Sequence, residues 1–274
     1  TWPDIWMIFA RRGIDIDAYP SVKRHLEKYR RQLVPKPSDW KPSNANDKWP
    51  GRKEGSYAWY ELQDAVDYWQ GFEKPKLIYQ VIQFHPRFAL DTEGRLSNDK
   101  TFILPTSDPW LLAVLNSPLM WWHNWRYLTH LKDEALSPMG YRMDVLPIAP
   151  PTTATRDAAK QTVASLVDRT NEASAARVSI LDWLKYEFEL TKVSRDLLNV
   201  TALGAEDFVA AVKASLPKKQ NLTAARLAEL KREHAATVEP ARLARAEIFA
   251  LEQKLSDLVN EAYGLTPEEV ALMW

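Results

Sequence analysis

The second half of the chain leaves its fold little choice. From about residue 151 the sequence is rich in Ala and charged residues, and only Gly204 and Gly264 interrupt it. Val163, Leu166, Thr170 and Ser174 recur at helical spacing, as do Val178, Leu181, Leu184 and Phe188. Further on, Ala241, Ala244, Ile248, Leu251, Leu255, Leu258 and Ala262 alternate at three and four residues, which is a sustained a/d seam. Such a seam is buried by pairing with another helix. The expectation is an antiparallel, coiled-coil-like pair with a shorter helix around Glu206–Ala214. The long helix also has a readable end. Gly264 suits a left-handed cap, and Thr266-Pro267-Glu268-Glu269 then supplies a cap, a first-turn proline and a capping-box glutamate.

The first 150 residues have another texture, rich in Trp, Tyr and Pro, with short apolar runs between turn residues. DIWMIFA near the start, KLIYQVI (76–82) and KTFILP (100–105) read as strands, and DTEGRLSND (91–99) as a connection. A helix is expected from about Tyr19 to Leu33, with Val22, Leu26, Tyr29 and Leu33 on one face. Another starts at Asp108-Pro109, a cap followed by a first-turn proline, and continues through WLLAVLNSPLMWW. Strands and helices in no regular βαβ order predict an α+β fold class. The chain is thus expected to be a mixed α/β domain over 1–150 followed by a helical region over 151–274.

Between Lys36 and Ser56 the text is KPSDWKPSNANDKWPGRKEGS, with no apolar periodicity. A loop of this length in a folded domain is usually either functional or disordered. Its Trp40 and Trp49 and its positive charge favour a functional surface. Although 36 basic and 36 acidic residues balance overall, Ser21–Ala58 holds ten bases against four acids, a net of +6.

Several chemistries are excluded. No cysteine is present, so disulfides, thiolate nucleophiles and cysteine–zinc sites are ruled out. No apolar run reaches membrane-spanning length and no signal peptide is visible, so the expected setting is the cytoplasm, without membrane contact. The eight glycines form no phosphate-cradling motif, no G-x-S-x-G elbow occurs, and the five histidines are scattered without carboxylates at ligand spacing. No catalytic, cofactor-binding or metal-ligating residue is therefore assigned. What remains is a recognition surface. Cations neutralise DNA phosphates, while Arg, Lys, Asn or Gln reach base edges. The basic segment supplies the first group, and Asn44 and Asn46 could add to the second.

YPSVKRHLEKYRRQL, GRKEGSYAWYELQDAVDYWQGFEKPKLIYQVI, NDKTFILP, WLLAVLNSPLMWW and YRMDVLPIAPP follow one another in this chain. In that order they closely resemble the TaqI-like C-terminal specificity domain of adenine-specific DNA methyltransferases. That group includes type IIG restriction–modification enzymes and phage-defence methylases. The resemblance implies target recognition on double-stranded DNA, coupled to an S-adenosylmethionine-binding catalytic domain of the same polypeptide. The family's cofactor-binding glycine motif and its Asn-Pro-Pro-Tyr motif for the flipped adenine are both absent here. With Thr1 in place of a starting Met, the expectation is the C-terminal part of a longer enzyme, with no cofactor of its own. On this reading Trp59, Leu62 and Val66 face inward. The DNA-binding candidates are Arg31, Lys36, Lys41, Lys48, Arg52, Lys53, Tyr57, Tyr60 and Gln63. The helical tail resembles the spacer helices of these proteins, which hold the recognition domain against the catalytic part or a partner subunit.

Two alternatives come from other classes. A carbohydrate-binding module would use the twelve Trp as a sugar platform, and a scaffold would act through the coiled-coil-like tail. The first accounts for neither the basic loop nor the heptad tail.

Overall fold

A computed structural model describes residues 6–190, 192–217 and 222–273. Packing divides the chain into two units. One extends to Lys76 and takes in Asp91–Asn98; the other comprises Leu77–Leu90 and the chain from Asp99 onward.

The first unit is mostly loop, carried on α1 (Pro20–Glu27), α2 (Arg30–Leu33) and α3 (Gln70–Glu73). The single helix expected over 19–33 is broken at Lys28 and Tyr29, whose N–H groups fall back to the carbonyls of His25 and Leu26, three residues earlier. Tyr29 sits at φ −110°, ψ 10°, outside helical geometry. The strand expected at DIWMIFA falls partly outside the described residues. Trp6–Ala10 forms no strand, although the Ala10 carbonyl accepts the Leu62 N–H at 2.7 Å.

One ionic pair is buried in this unit. The Lys76 ammonium meets the Asp91 carboxylate, and the two side chains are 0% and 2% exposed. Lys76 also donates to the Phe72 carbonyl at 2.7 Å, while Asp91 accepts the N–H groups of Glu93 and Arg95 at 3.2 and 2.9 Å. Burial alone would raise the Asp91 pKa. The Lys76 ammonium and the two N–H groups outweigh it and hold the carboxyl below its ordinary value.

Strand β1 (Lys76–Gln80) lies between β2 (Phe88–Asp91) and β3 (Thr101–Leu104), pairing antiparallel with β3 so that Tyr79 faces Phe102; all but Lys76 and Asp91 of these strands fall in the second unit. The strand β2 lies just ahead of the expected connection. Its FALD sequence is too short to show a period. Two apolar helices follow, α4 (Pro109–Asn116) and α5 (Pro118–Tyr127). The expected single segment is split at Ser117, which adopts φ −70°, ψ 151° as required before a proline and caps α5 by accepting the Met120 N–H. Asp108 caps α4 in the expected way. A small hairpin, β4 (Thr129–His130) with β5 (Leu136–Ser137), precedes α6 (Gly140–Met143).

The helical region opens with α7 (Thr153–Phe188), a single run of 36 residues, about 54 Å long at 1.5 Å per residue. The short α8 (Arg195–Leu198) and α9 (Ala205–Ser215) follow, then α10 (Ala224–Glu233), α11 (Glu239–Ala262) and α12 (Pro267–Ala271). Helices α7 and α11 are antiparallel. Ala159 and Val163 share a core with Leu255 and Val259, Arg169 pairs with Glu247 at 2.9 Å, and Ile180 and Leu184 pack in a cluster with Val238. Thr266 and Glu269 form the expected capping box, and Gly264 takes φ +66°. Between α10 and α11 the chain opens into a π turn at His234–Val238, just before Pro240. A widened turn accommodates a residue that has no N–H and whose ring crowds the preceding turn. The fold is therefore α+β with a long antiparallel helical region.

The LPIAPP segment, where the sequence changes texture, is pinned within the second unit. The Trp110 indole donates to the Ala149 carbonyl at 2.9 Å, and the Tyr263 hydroxyl donates to the Pro147 carbonyl at 2.6 Å.

Candidate nucleic-acid interface

The long loop of the first unit is closed at its base. Arg52 N–H donates to the Val34 carbonyl and Lys36 N–H to the Arg52 carbonyl, both at 3.0 Å. The Trp49 indole adds a bond to the Val34 carbonyl at 3.1 Å. Inside the loop Trp49 meets Trp40 edge-on, with ring centroids 5.9 Å apart, and the Lys36 ammonium lies 5.8 Å from the Trp40 ring centre. Near the tip Asp47 accepts the Ser43 N–H at 2.9 Å and its hydroxyl at 2.6 Å, and Asn44 accepts the Asn46 N–H at 3.0 Å. Those Ser43 bonds hold the Asp47 carboxyl below its usual pKa. A compact loop with joined ends and internal side-chain packing is an Ω-loop, not a tether. Gly51 permits the closure. A Cβ there would collide with the Val34 carbonyl oxygen and lie 2.6 Å from Trp49 Nε1.

Arg52 organises this loop. Its Nε donates to the Leu33 carbonyl at 2.7 Å, one terminal nitrogen to the Glu61 carbonyl at 2.6 Å, and the other to the Trp59 carbonyl at 2.8 Å. Its guanidinium also lies 4.7 Å from the centre of the Tyr57 ring. Tyr57 is only 7% exposed and donates its hydroxyl to the Lys53 carbonyl. These two candidates thus serve the scaffold: Arg52 gathers carbonyls from two stretches of chain, at Leu33 and at Trp59–Glu61, and Tyr57 supplies the surface on which it rests. Gln63 is half-buried, and its backbone carbonyl accepts from Arg12 at 2.7 Å. Tyr60 is also half-buried and meets Trp59 edge-on, with Arg30 over the Trp59 ring at 4.8 Å. Lys53 is exposed and pairs with Asp64 at 3.0 Å, lowering the Asp64 pKa. An ion pair this open contributes little and does not prevent Lys53 from meeting another anion.

Arg31, Lys41 and Lys48 are exposed and have no acidic partner among the described residues. Lys41 and Lys48 lie on the Ω-loop, and Arg31 lies on the helix leading into it. Arg24 and Lys28, on and just after α1, are exposed in the same way; both are counted in the basic segment, though neither is among the named DNA-binding candidates. Their signal was present in the local charge excess. Replacing Arg52 by Ala is expected to cost at least about 1–3 kcal/mol, because it strands part-buried carbonyls. Lys would not rescue it, since one ammonium cannot reach three diverging acceptors. Limited proteolysis between Lys36 and Arg52 checks this: faster cleavage is expected in both variants.

Residues 24–148 match the family model of the TaqI-like C-terminal specificity domain. The match covers somewhat less than half of the chain, and it makes this segment similar to such domains. Such domains supply DNA sequence specificity in restriction–modification-type proteins, so the match assigns DNA as partner to the segment that contains the closed cationic loop. Residues 152–259 match a second family, described as a Domain of unknown function (DUF8810). No curated protein matches the chain. The change from one family to the other, between 148 and 152, falls where the sequence texture changes, whereas the packing units divide elsewhere. Both α4 and α5 lie in the segment that matches the first family model, while α7 and most of α11 lie in the segment that matches the second. Among the described residues no helix is long and apolar enough to cross a membrane.

Proposed function

We propose that this chain selects a sequence in duplex DNA for an S-adenosylmethionine-dependent adenine methyltransferase acting in restriction–modification or phage defence. The observation that carries the proposal is the specificity-domain match over 24–148, which includes an Ω-loop whose outward lysines have no acidic partner among the described residues. Phosphate neutralisation needs such cations, and a loop fixed at its base presents them with little entropy left to lose.

On this reading the bond-making belongs to a catalytic domain of the same polypeptide. The described residues of this chain do not fit an S-adenosylmethionine site. Its glycines in the left-handed conformation, Gly13, Gly94 and Gly264, stand at separate turns and cradle nothing together. The region 1–150 serves as the reader, and 151–274 as a spacer that meets the catalytic part or a partner subunit along its helices.

Selection of bound duplexes from a pool with a randomised central region tests the proposal. One recovered motif is expected. Retention of duplex with no enriched motif contradicts sequence reading, and no retention at low salt contradicts DNA binding altogether.

A further inference from the structure

Helix α5 carries an unusual density of aromatic side chains. In its sequence PLMWWHNWRY, Trp121 and Trp125 are four residues apart, and so are Trp122 and Arg126. Two i,i+4 pairs therefore stand side by side on one helix. Trp121 and Trp125 lie with ring centroids 6.3 Å apart, and the Arg126 guanidinium lies 3.6 Å from the centre of the Trp122 ring. With Pro86, Pro118 and Met273 they line an open cavity of about 380 Å³, within the range of small-molecule sites. Trp125 is 38% exposed, an uncommon position for the largest apolar side chain unless it meets something.

The polar chemistry of the cavity runs one way. Among the described residues the indole N–H groups of Trp121, Trp122 and Trp125 have no acceptor, and Arg126 spends one bond, at 2.8 Å, on the Trp122 carbonyl. Asn116 is committed elsewhere, bonding both the N–H and carbonyl of Phe88 at 3.0 Å. No carboxylate among the described residues lines the space. An occupant must bring acceptors, flat apolar faces and preferably negative charge. A cationic ligand in an aromatic cage is disfavoured because Arg126 already covers Trp122.

We propose that this cavity holds an unstacked nucleotide of single-stranded DNA, its base against the indoles and its phosphate beside Arg126. The inference rests on the DNA-reading proposal and extends it to a second binding surface. Base–aromatic stacking tolerates any base, and guanidinium planes add to the same platform.

The test uses the whole chain, with a fluorescent ten-residue thymidine oligonucleotide and a fully paired duplex titrated in parallel. Trp125→Ala is expected to weaken single-strand binding about five-fold or more while leaving duplex affinity within about two-fold. Arg126→Gln, an exposed change that leaves the helix intact, is expected to weaken the single strand in the same selective way. Unchanged single-strand binding in both variants, equal loss of both DNA forms, or displacement of the oligonucleotide by decaproline would overturn the inference. Failure of the wild type to bind duplex while it still binds the oligonucleotide through Trp125 would instead contradict the duplex-reading proposal and leave the cavity assignment standing.

Discussion

Asp91→Ala is expected to destabilise the protein by about 3–5 kcal/mol, a large loss for the removal of one carboxylate. The reason is asymmetry. With both partners present, the Lys76 ammonium and the Asp91 carboxylate compensate each other in a site that water does not reach. Without Asp91 the ammonium is left buried with one carbonyl, that of Phe72. The turn also loses the acceptor for the Glu93 and Arg95 N–H groups. The double variant Lys76→Met with Asp91→Asn removes both charges and keeps an amide oxygen for the turn, so it should recover more than half of the loss. Urea unfolding followed by tryptophan fluorescence checks both. Near-wild-type stability in Asp91→Ala would contradict the assigned role.

The same pair sets a pH dependence. The Asp91 carboxyl is held below its ordinary value in the folded state. Its contribution is therefore fully present above the unfolded value of about 3.9 and is lost as pH falls through the lower, folded value. Acid unfolding of the wild type should contain this component, and the double variant should lack it.

The second large effect concerns affinity. Replacing Arg31, Lys41 and Lys48 together by Ala is expected to lower duplex affinity by about a hundred-fold or more at about 0.1 M salt. The plot of log K against log salt should become shallower by about 0.9 for each phosphate that is no longer neutralised. These side chains are exposed, so the fold should persist. The loss should be uniform across DNA sequences, because phosphate contacts position a protein without reading bases. Binding and slope equal to wild type would remove the Ω-loop from the interface.

Signals read over three or four residues were legible in the sequence. The Asp108-Pro109 start of α4, the Gly264 stop and the Thr266–Glu269 box all appear where expected, because capping is local chemistry. The a/d seam was legible too, since burial imposes its period on a long helix. Arg52 and Tyr57 read as surface groups because their partners come from elsewhere in the chain. The carbonyls of Leu33, Trp59 and Glu61 converge on one guanidinium only once the loop has closed. Charge type alone cannot distinguish that role from phosphate binding. The strand Phe88–Asp91 was missed for a similar reason, being fixed by its neighbour β1. The pattern Trp-Trp-x-x-Trp-Arg at 121–126 was visible, but its spacing also suits a buried helix, and only exposure separates the two readings.

The most direct measurement of the central claim is lysine acetylation of the intact chain, read by mass spectrometry with and without duplex DNA. Lys41 and Lys48 should become protected, while the exposed Lys160 and Lys254 of the helical region keep their reactivity. Loop lysines that react equally fast with and without saturating duplex would contradict the claim that this closed cationic loop grips DNA.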